Sequence, residues 1–260
     1  MRFPGFLLFT LGVLVFLAGC APVAQKNSAD GAVILLGNGS VVINNVWNAK
    51  AAMGAHEQTV FQSNEKGVKS IGWKWKWPLS LAVVAYPEVM YGDSPWSRPL
   101  NRAKGMPHQV GSGSMTADFD VTIHGDGIYN MAFSFWVVSA LPATKERITH
   151  EVMIWNLNNR MVPAGTRTET VDLDGGTFDL WVLKAHKDVS GENSNTWDYI
   201  AFVAREPILK GPLNLGAFFD YLLDKGLITR DHYVTSVEFG NEIVLGSGTV
   251  QIQDQSITIK

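Results

Sequence analysis

One cysteine in 260 residues, Cys20, rules out an internal disulfide framework. No cluster of Lys or Arg occurs, and 21 basic against 24 acidic residues leave a net charge of −3, so the electrostatic footprint of a nucleic-acid binder is missing. The six histidines are scattered without ligand-like spacing. One stretch, DLDGGTFD at 172–179, begins like a calcium loop but places Leu183 where the twelfth-position Glu would stand, and it reads as a hairpin turn. Neither a metal nor a cofactor is expected. Residues 5–19 form an almost wholly apolar run, short for a membrane-spanning helix and right for the core of a signal peptide. There is no internal repeat and no interdomain linker.

Arg2 precedes the apolar run and Leu-Ala-Gly-Cys, 17–20, closes it. That tetrapeptide resembles the lipobox of bacterial lipoproteins, in which the cysteine is acylated and becomes the mature N-terminus. Ala21, where Asp would signal inner-membrane retention, resembles the sorting pattern for the outer membrane. Residues 1–20 are therefore expected to be a lipoprotein signal peptide. Residues 21–32, small and polar, are expected to be a flexible tether, and 33–260 a single domain. The anchor would be Cys20 in the lipid bilayer of a bacterial cell envelope, at the outer membrane or cell surface. About 240 residues remain after the leader, a length common for one all-β domain.

What is abundant is Trp, nine of them, and Gly, 25, which supply flat rigid side chains and tight turns. Segments rich in β-branched and aromatic residues follow one another: 41–48, 73–86, 115–124, 128–138, 149–158, 166–173, 177–186, 197–205 and 233–259. Gly/Asp turns such as HGDG (124–127) and DGG (174–176) are expected between them. This pattern predicts an all-β jelly-roll sandwich of two antiparallel sheets. One helix interrupts it within 211–228, where Leu215, Phe218, Phe219 and Leu222 recur at helical spacing and Gly226 fits a C-terminal cap. Its apolar stripe should lie against the convex back of a sheet, leaving an open cleft on the concave side.

Strand alternation sorts the remaining candidates. In WKWKW, Trp73, Trp75 and Trp77 share a face opposite Lys74 and Lys76. That face reads either as buried core or as a wall on which the apolar face of a sugar ring stacks. Asn45 and Trp47 share a face in NNVWN, pairing an amide for hydroxyls with a stacking ring. In HEVMIWN, Glu151 lies with Met153 and Trp155 while Val152 and Ile154 point to the core. A carboxylate between a thioether and an indole is poorly solvated. Hydrolysing a glycosidic bond with retention needs two carboxyls about 5–5.5 Å apart, one ionised and one protonated. A partner for Glu151 is offered by VEFGNEIVLGSG, in which Glu238 and Glu242 have the same parity, so alternation does not choose between them.

The succession NNVW, WKWKW, AYPEVMYG, YNMAFSFW, HEVMIWN, PAG, IAFVA and FGNEIVLGSGTV resembles glycoside hydrolase family 12, over roughly residues 40–260. The resemblance implies a retaining endo-β-1,4-glucanase or xyloglucan hydrolase on a β-jelly roll, acting as a monomer without a cofactor. Its substrate would be xyloglucan, mixed-linkage glucan or soluble cellulose. It implies that Glu151, in Glu-x-Met-Ile-Trp, is the nucleophile. It implies too that Glu242, in Phe-Gly-x-Glu, is the acid/base in preference to Glu238. Asn45 and Trp47 match glycone-side positions, and Trp96 the YP…G…PW stretch. Trp75, Met153 and Trp155 complete the candidate substrate-binding set. Two departures stand out. Ser134 replaces an Asp usual near the nucleophile; it is expected to hydrogen-bond Glu151 and, adding no charge, to favour ionisation of Glu151 and activity toward neutral pH. Segment 184–199 is longer than expected and should alter one rim of the cleft. The alternatives from other classes are a non-catalytic β-glucan-binding lipoprotein on the same fold and a structural outer-membrane protein.

Overall fold

Valine, isoleucine and phenylalanine on the long central strands point to one side, and acids, amides and indoles to the other. In the computed structural model, which describes residues 24–65, 68–97 and 103–260, that division builds two stacked layers. The leader and Cys20 lie outside the described residues. The strands begin with β1 (Gln25–Asn27), β2 (Val33–Leu35), β3 (Ser40–Ile43), β4 (Glu57–Glu65), β5 (Val68–Trp77), β6 (Glu88–Gly92) and β7 (His108–Gln109). There follow β8 (Met115–Val138), β9 (Ile148–Asn159), β10 (Thr166–Leu173), β11 (Gly176–Lys187), β12 (Thr196–Ala204) and β13 (Leu213–Asn214). The helix α1 (Leu215–Asp224) precedes β14 (Tyr233–Val234), β15 (Ser236–Gly240) and β16 (Ile243–Ile259).

β8 belongs to both layers. Its first half pairs with β16, which pairs with β5 and through it with β4, forming the outer sheet. From Tyr129 onward β8 pairs with β9 on one side and from Ala132 with β15 on the other. The inner sheet then runs β2-β3-β6-β15-β8-β9-β12-β11-β10. Phe133, Phe135, Val152, Ile154, Val237 and Phe239 fill the space between the sheets, with the Phe133 and Phe239 rings stacked 4.2 Å apart. Glu151, Met153 and Trp155 therefore face the concave side, as alternation requires.

This is the expected jelly roll, with differences. One pair, β9 with β12, is parallel, in the register Glu151↔Tyr199, so the inner sheet is mixed rather than purely antiparallel. HGDG is not a turn: the chain runs through Gly125 and Gly127 inside β8, paired with Gly248 and Gly246. The glycines serve close approach. A Cβ at Gly125 or Gly248 would meet the Trp75 ring at 3.0 and 2.3 Å, so the indole lies where side chains there would be. Part of the expected tether is also structured, since Gln25–Asn27 pairs as an edge strand with β4.

The helix buries Leu215, Phe218, Phe219 and Leu222, the four residues of its apolar stripe. It begins at Leu215, later than the expected 211–228, because Leu213 and Asn214 first pair with β8. Phe218 meets Phe178 of β11 and Phe202 of β12 edge-on at 5.1 Å, and Phe219 meets Phe135 of β8 at 5.2 Å. All three sheet residues point away from the cleft, so α1 backs the inner sheet. Gly226, at φ 66°, closes the helix, with its N–H donating to Leu223 and that of Leu227 to Leu222.

Candidate active site

The concave face holds a cleft of about 400 Å³ lined by Asn45, Trp47, Trp96, Ser134, Glu151, Met153, Trp155 and Glu242, with Glu238 in the same wall. Trp47 is 37% exposed, the only tryptophan among the described residues that presents a large open surface. Met153 and Trp155 are fully buried beneath the cleft and joined by an indole N–H to sulfur contact of 3.4 Å, so they form its floor. Three indoles, Trp96, Trp136 and Trp197, meet edge-on at 5.4–5.7 Å beside Glu151. Trp75 is the exception. It does not line the cleft, is 3% exposed and packs edge-on against Tyr129 in the inter-sheet core, so its assignment to substrate binding is corrected. Trp73 and Trp77 share that fate.

β9 positions Glu151 and the short connection between β15 and β16 positions Glu242. Each residue is half-buried, but the carboxyl sits where surrounding protein displaces water. Trp197 N–H donates to Glu151 Oε2 at 3.1 Å. Asn130 holds Glu242 by three bonds: its Nδ2–H to Oε2, the Glu242 N–H to Asn130 Oδ1 at 2.8 Å, and its own N–H to the Glu242 carbonyl at 3.1 Å. Burial, then the charge of Glu242, pushes Glu151 up to about 8 against the tryptophan hydrogen bond. Burial pushes Glu242 up to about 7, opposed by Asn130. Each carboxyl is thus reluctant to ionise, Glu151 additionally because Glu242 stands near it.

The expectation for Ser134 is corrected. The expected hydrogen bond from Ser134 is not made, and Glu151 takes its side-chain hydrogen bond from Trp197. A negative neighbour is present after all: Glu238, the cross-strand partner of Ser134, also acts on Glu151. Alternation carried signals for the residues not foreseen. Asn130 shares a face with Ser134, and Trp197 shares one with Tyr199 in the strand parallel to β9.

The end of β11 and the long β11–β12 connection supply a rim through His186, Asp188, Val189, Ser190 and Glu192. The Asp188 carboxylate organises it by accepting the N–H groups of Ser190, Glu192 and Asn193 at 2.6–2.9 Å. Lys50, three residues after Trp47, donates to the Ser190 carbonyl at 2.7 Å and joins the two walls. No Lys or Arg lines the cleft, and no group of three or more His, Cys, Asp or Glu fit to hold a metal occurs among the described residues.

The chain matches the model of glycosyl hydrolase family 12 over residues 38–260. It belongs to that family. Endoglucanase S of Pectobacterium parmentieri is 31% identical over 242 residues, covering 91% of this chain and 88% of that protein. Xyloglucan-specific endo-β-1,4-glucanase A of Emericella nidulans is 24% identical, covering 84% and 85%. A solved family 12 xyloglucanase from Bacillus licheniformis superposes with a TM-score of 0.80 at 26% identity, covering 91% of this chain and all of that one. The chain is accordingly a glycoside hydrolase of the endoglucanase type.

Proposed function

We propose that this glycoside hydrolase cleaves β-1,4-glucan chains internally by double displacement, with Glu151 as nucleophile and Glu242 as acid/base. The observation that carries the reading is that these two acids, 91 positions apart in sequence (242 − 151), line one cleft and that the charge of Glu242 raises Glu151. The Glu151 carboxylate attacks the anomeric carbon as the glycosidic bond breaks, and Glu242 gives its proton to the departing oxygen. Water then attacks the glycosyl ester, Glu242 takes the water's proton, and Glu151 is released as a carboxylate.

Burial and the charge of Glu242 raise Glu151, so the ionised form that attacks is disfavoured in the free protein. Sugar hydroxyls donating to Glu151 favour its ionised form and offset this on binding. Once Glu151 is esterified its charge is gone, the Glu242 proton is held less tightly, and the same residue serves as base.

The exposed face of Trp47, with the Asn45 amide beside it, supports stacking of a glucose ring on the glycone side. Names of relatives point to both unbranched glucan and xyloglucan, and the open cleft with its apolar rim at Val162 and Val189 suits a branched chain. Lipid anchoring through Cys20 and action as a monomer at the cell envelope complete the proposal. Reducing ends released from xyloglucan and from a soluble cellulose derivative test it, with Glu151→Gln as control. Release by the wild type alone supports the enzyme, and no release on any β-glucan supports a glycan-binding protein instead.

A further inference from the structure

Two buried acids stand behind the reacting pair without a part in the double displacement. Glu88 on β6 is 3% exposed and Glu238 on β15 is 5% exposed. Their strands are neighbours, with Glu88 opposite Gly240 and Glu238 opposite Met90. Glu88 Oε1 accepts the Asn45 Nδ2–H at 2.9 Å, whereas Glu88 Oε2 is buried and has no donor. Glu238 Oε1 accepts the Ser236 hydroxyl at 2.8 Å, and Ser94 and Trp136 also donate to the Glu238 carboxyl. The two carboxyls are themselves within hydrogen-bonding reach.

Two buried carboxylates in contact, both ionised, would repel strongly and leave an orphaned oxygen. One proton resolves both difficulties. On Glu88 Oε2 it satisfies the orphan by donating to Glu238, which has three other donors to stabilise a negative charge. Glu88 then presents a carbonyl-like Oε1 to Asn45, which fixes the amide with its Oδ1 free as an acceptor in the cleft. Among the described residues the titratable groups near the pair are of one kind: Tyr86, its hydroxyl also held neutral, Glu242 just past β15, and Glu151 on β9. With no Lys or Arg lining the cleft among the described residues, the charge on Glu238 is felt by Glu151.

We propose that Glu88 and Glu238 form a proton-sharing pair of positioning residues, in which neutral Glu88 orients the Asn45 amide toward substrate and Glu238 holds the negative charge that faces Glu151. The proposal rests on the hydrolase reading for its kinetic consequence but not for its proton.

The proton is therefore tested without turnover. In protein carrying Glu151→Gln and Glu242→Gln, the infrared band of a protonated buried carboxyl is expected at neutral pH and should vanish when Glu88→Gln is added. Thermal unfolding checks that each variant folds. A background protein without the band, or a band that survives Glu88→Gln, overturns the pair. In the active protein, Glu238→Gln should move the acid limb of the kcat/KM profile to lower pH by roughly one unit, because Glu151 loses a like charge. Glu88→Gln, which keeps donor and acceptor, should leave that limb in place, and Glu88→Leu should raise KM roughly tenfold by freeing Asn45. An unmoved limb in Glu238→Gln, or an unmoved KM in Glu88→Leu, overturns the corresponding half. Absence of hydrolysis by the wild type counts against the hydrolase reading while the infrared result still decides the pair.

Discussion

Asn130 grips Glu242 at both ends, donating to its carboxylate and its carbonyl while accepting from its N–H. Glu242 lies outside regular strand pairing, in the step between β15 and β16, so a fully buried amide does what a ladder does elsewhere. Asn130→Ala is expected to lower kcat roughly 10- to 100-fold with a much smaller change in KM, since the misplaced group acts in the transition state. It should also cost about 1–3 kcal/mol of stability through the partners left unpaired. Steady-state kinetics beside denaturant unfolding check both; a change confined to KM contradicts the assignment.

Leaving-group chemistry separates the two acids. On an aryl β-cellobioside whose phenol departs without a proton, Glu242→Gln should retain much of the rate of the first step. Glu151→Gln should lose on the order of 10³-fold or more on every substrate. Burst kinetics with the activated glycoside provide the reading. Equal loss in both variants on that substrate runs against the division of roles.

Two tryptophans make an opposed pair. Trp75 is enclosed over Gly125 and Gly248, so Trp75→Ala is expected to cost about 3–5 kcal/mol of stability while folded protein keeps its KM. Trp47 is exposed in the cleft, so Trp47→Ala should raise KM several-fold with little change in unfolding temperature. Calorimetry and saturation kinetics on both variants check the contrast.

The buried acids also govern stability against pH. Glu151 and Glu242 have folded values near 8 and 7, above the ordinary 4.5, so between those limits the folded protein holds more protons than the unfolded chain. Their contribution is complete below about 4.5 and is lost as pH rises toward 8. His150 works the other way: burial lowers it to about 4, so stability rises with pH between there and 6.5. With Glu88 raised as well, and with His108 and His186 lowered by burial like His150, the unfolding temperature is expected to fall mainly from about pH 6.5 to pH 8. Glu151→Gln should flatten that fall, and thermal scans across pH measure it.

Much of this was legible in the sequence because alternation and helical spacing are local. The face shared by Glu151, Met153 and Trp155, and the stripe from Leu215 to Leu222, are written within single segments. What alternation lacks is the identity of the opposing surface. It puts Trp73, Trp75 and Trp77 on one face, but whether that face meets solvent or core depends on Gly125 and Gly248, contributed by β8 and β16. Gly125 reads as part of a turn because its role is to let another strand's indole approach. Glu238 and Glu242 share parity; the break after Gly240 distinguishes them, leaving one in a ladder beside Ser134 and the other on the Asn130 clamp. Trp197 reaches Glu151 through a parallel pairing that skips two strands, and no local pattern announces it.

The central claim, that Glu151 attacks sugar across a groove it shares with Glu242, is most directly tested by trapping the glycosyl ester. Protein incubated with an activated 2-deoxy-2-fluoro-β-cellobioside should gain one glycosyl mass, located by peptide mass spectrometry on Glu151. It should remain unlabelled as Glu151→Gln. A label on Glu238 or Glu242, or none in a preparation that hydrolyses β-glucan, would contradict the account.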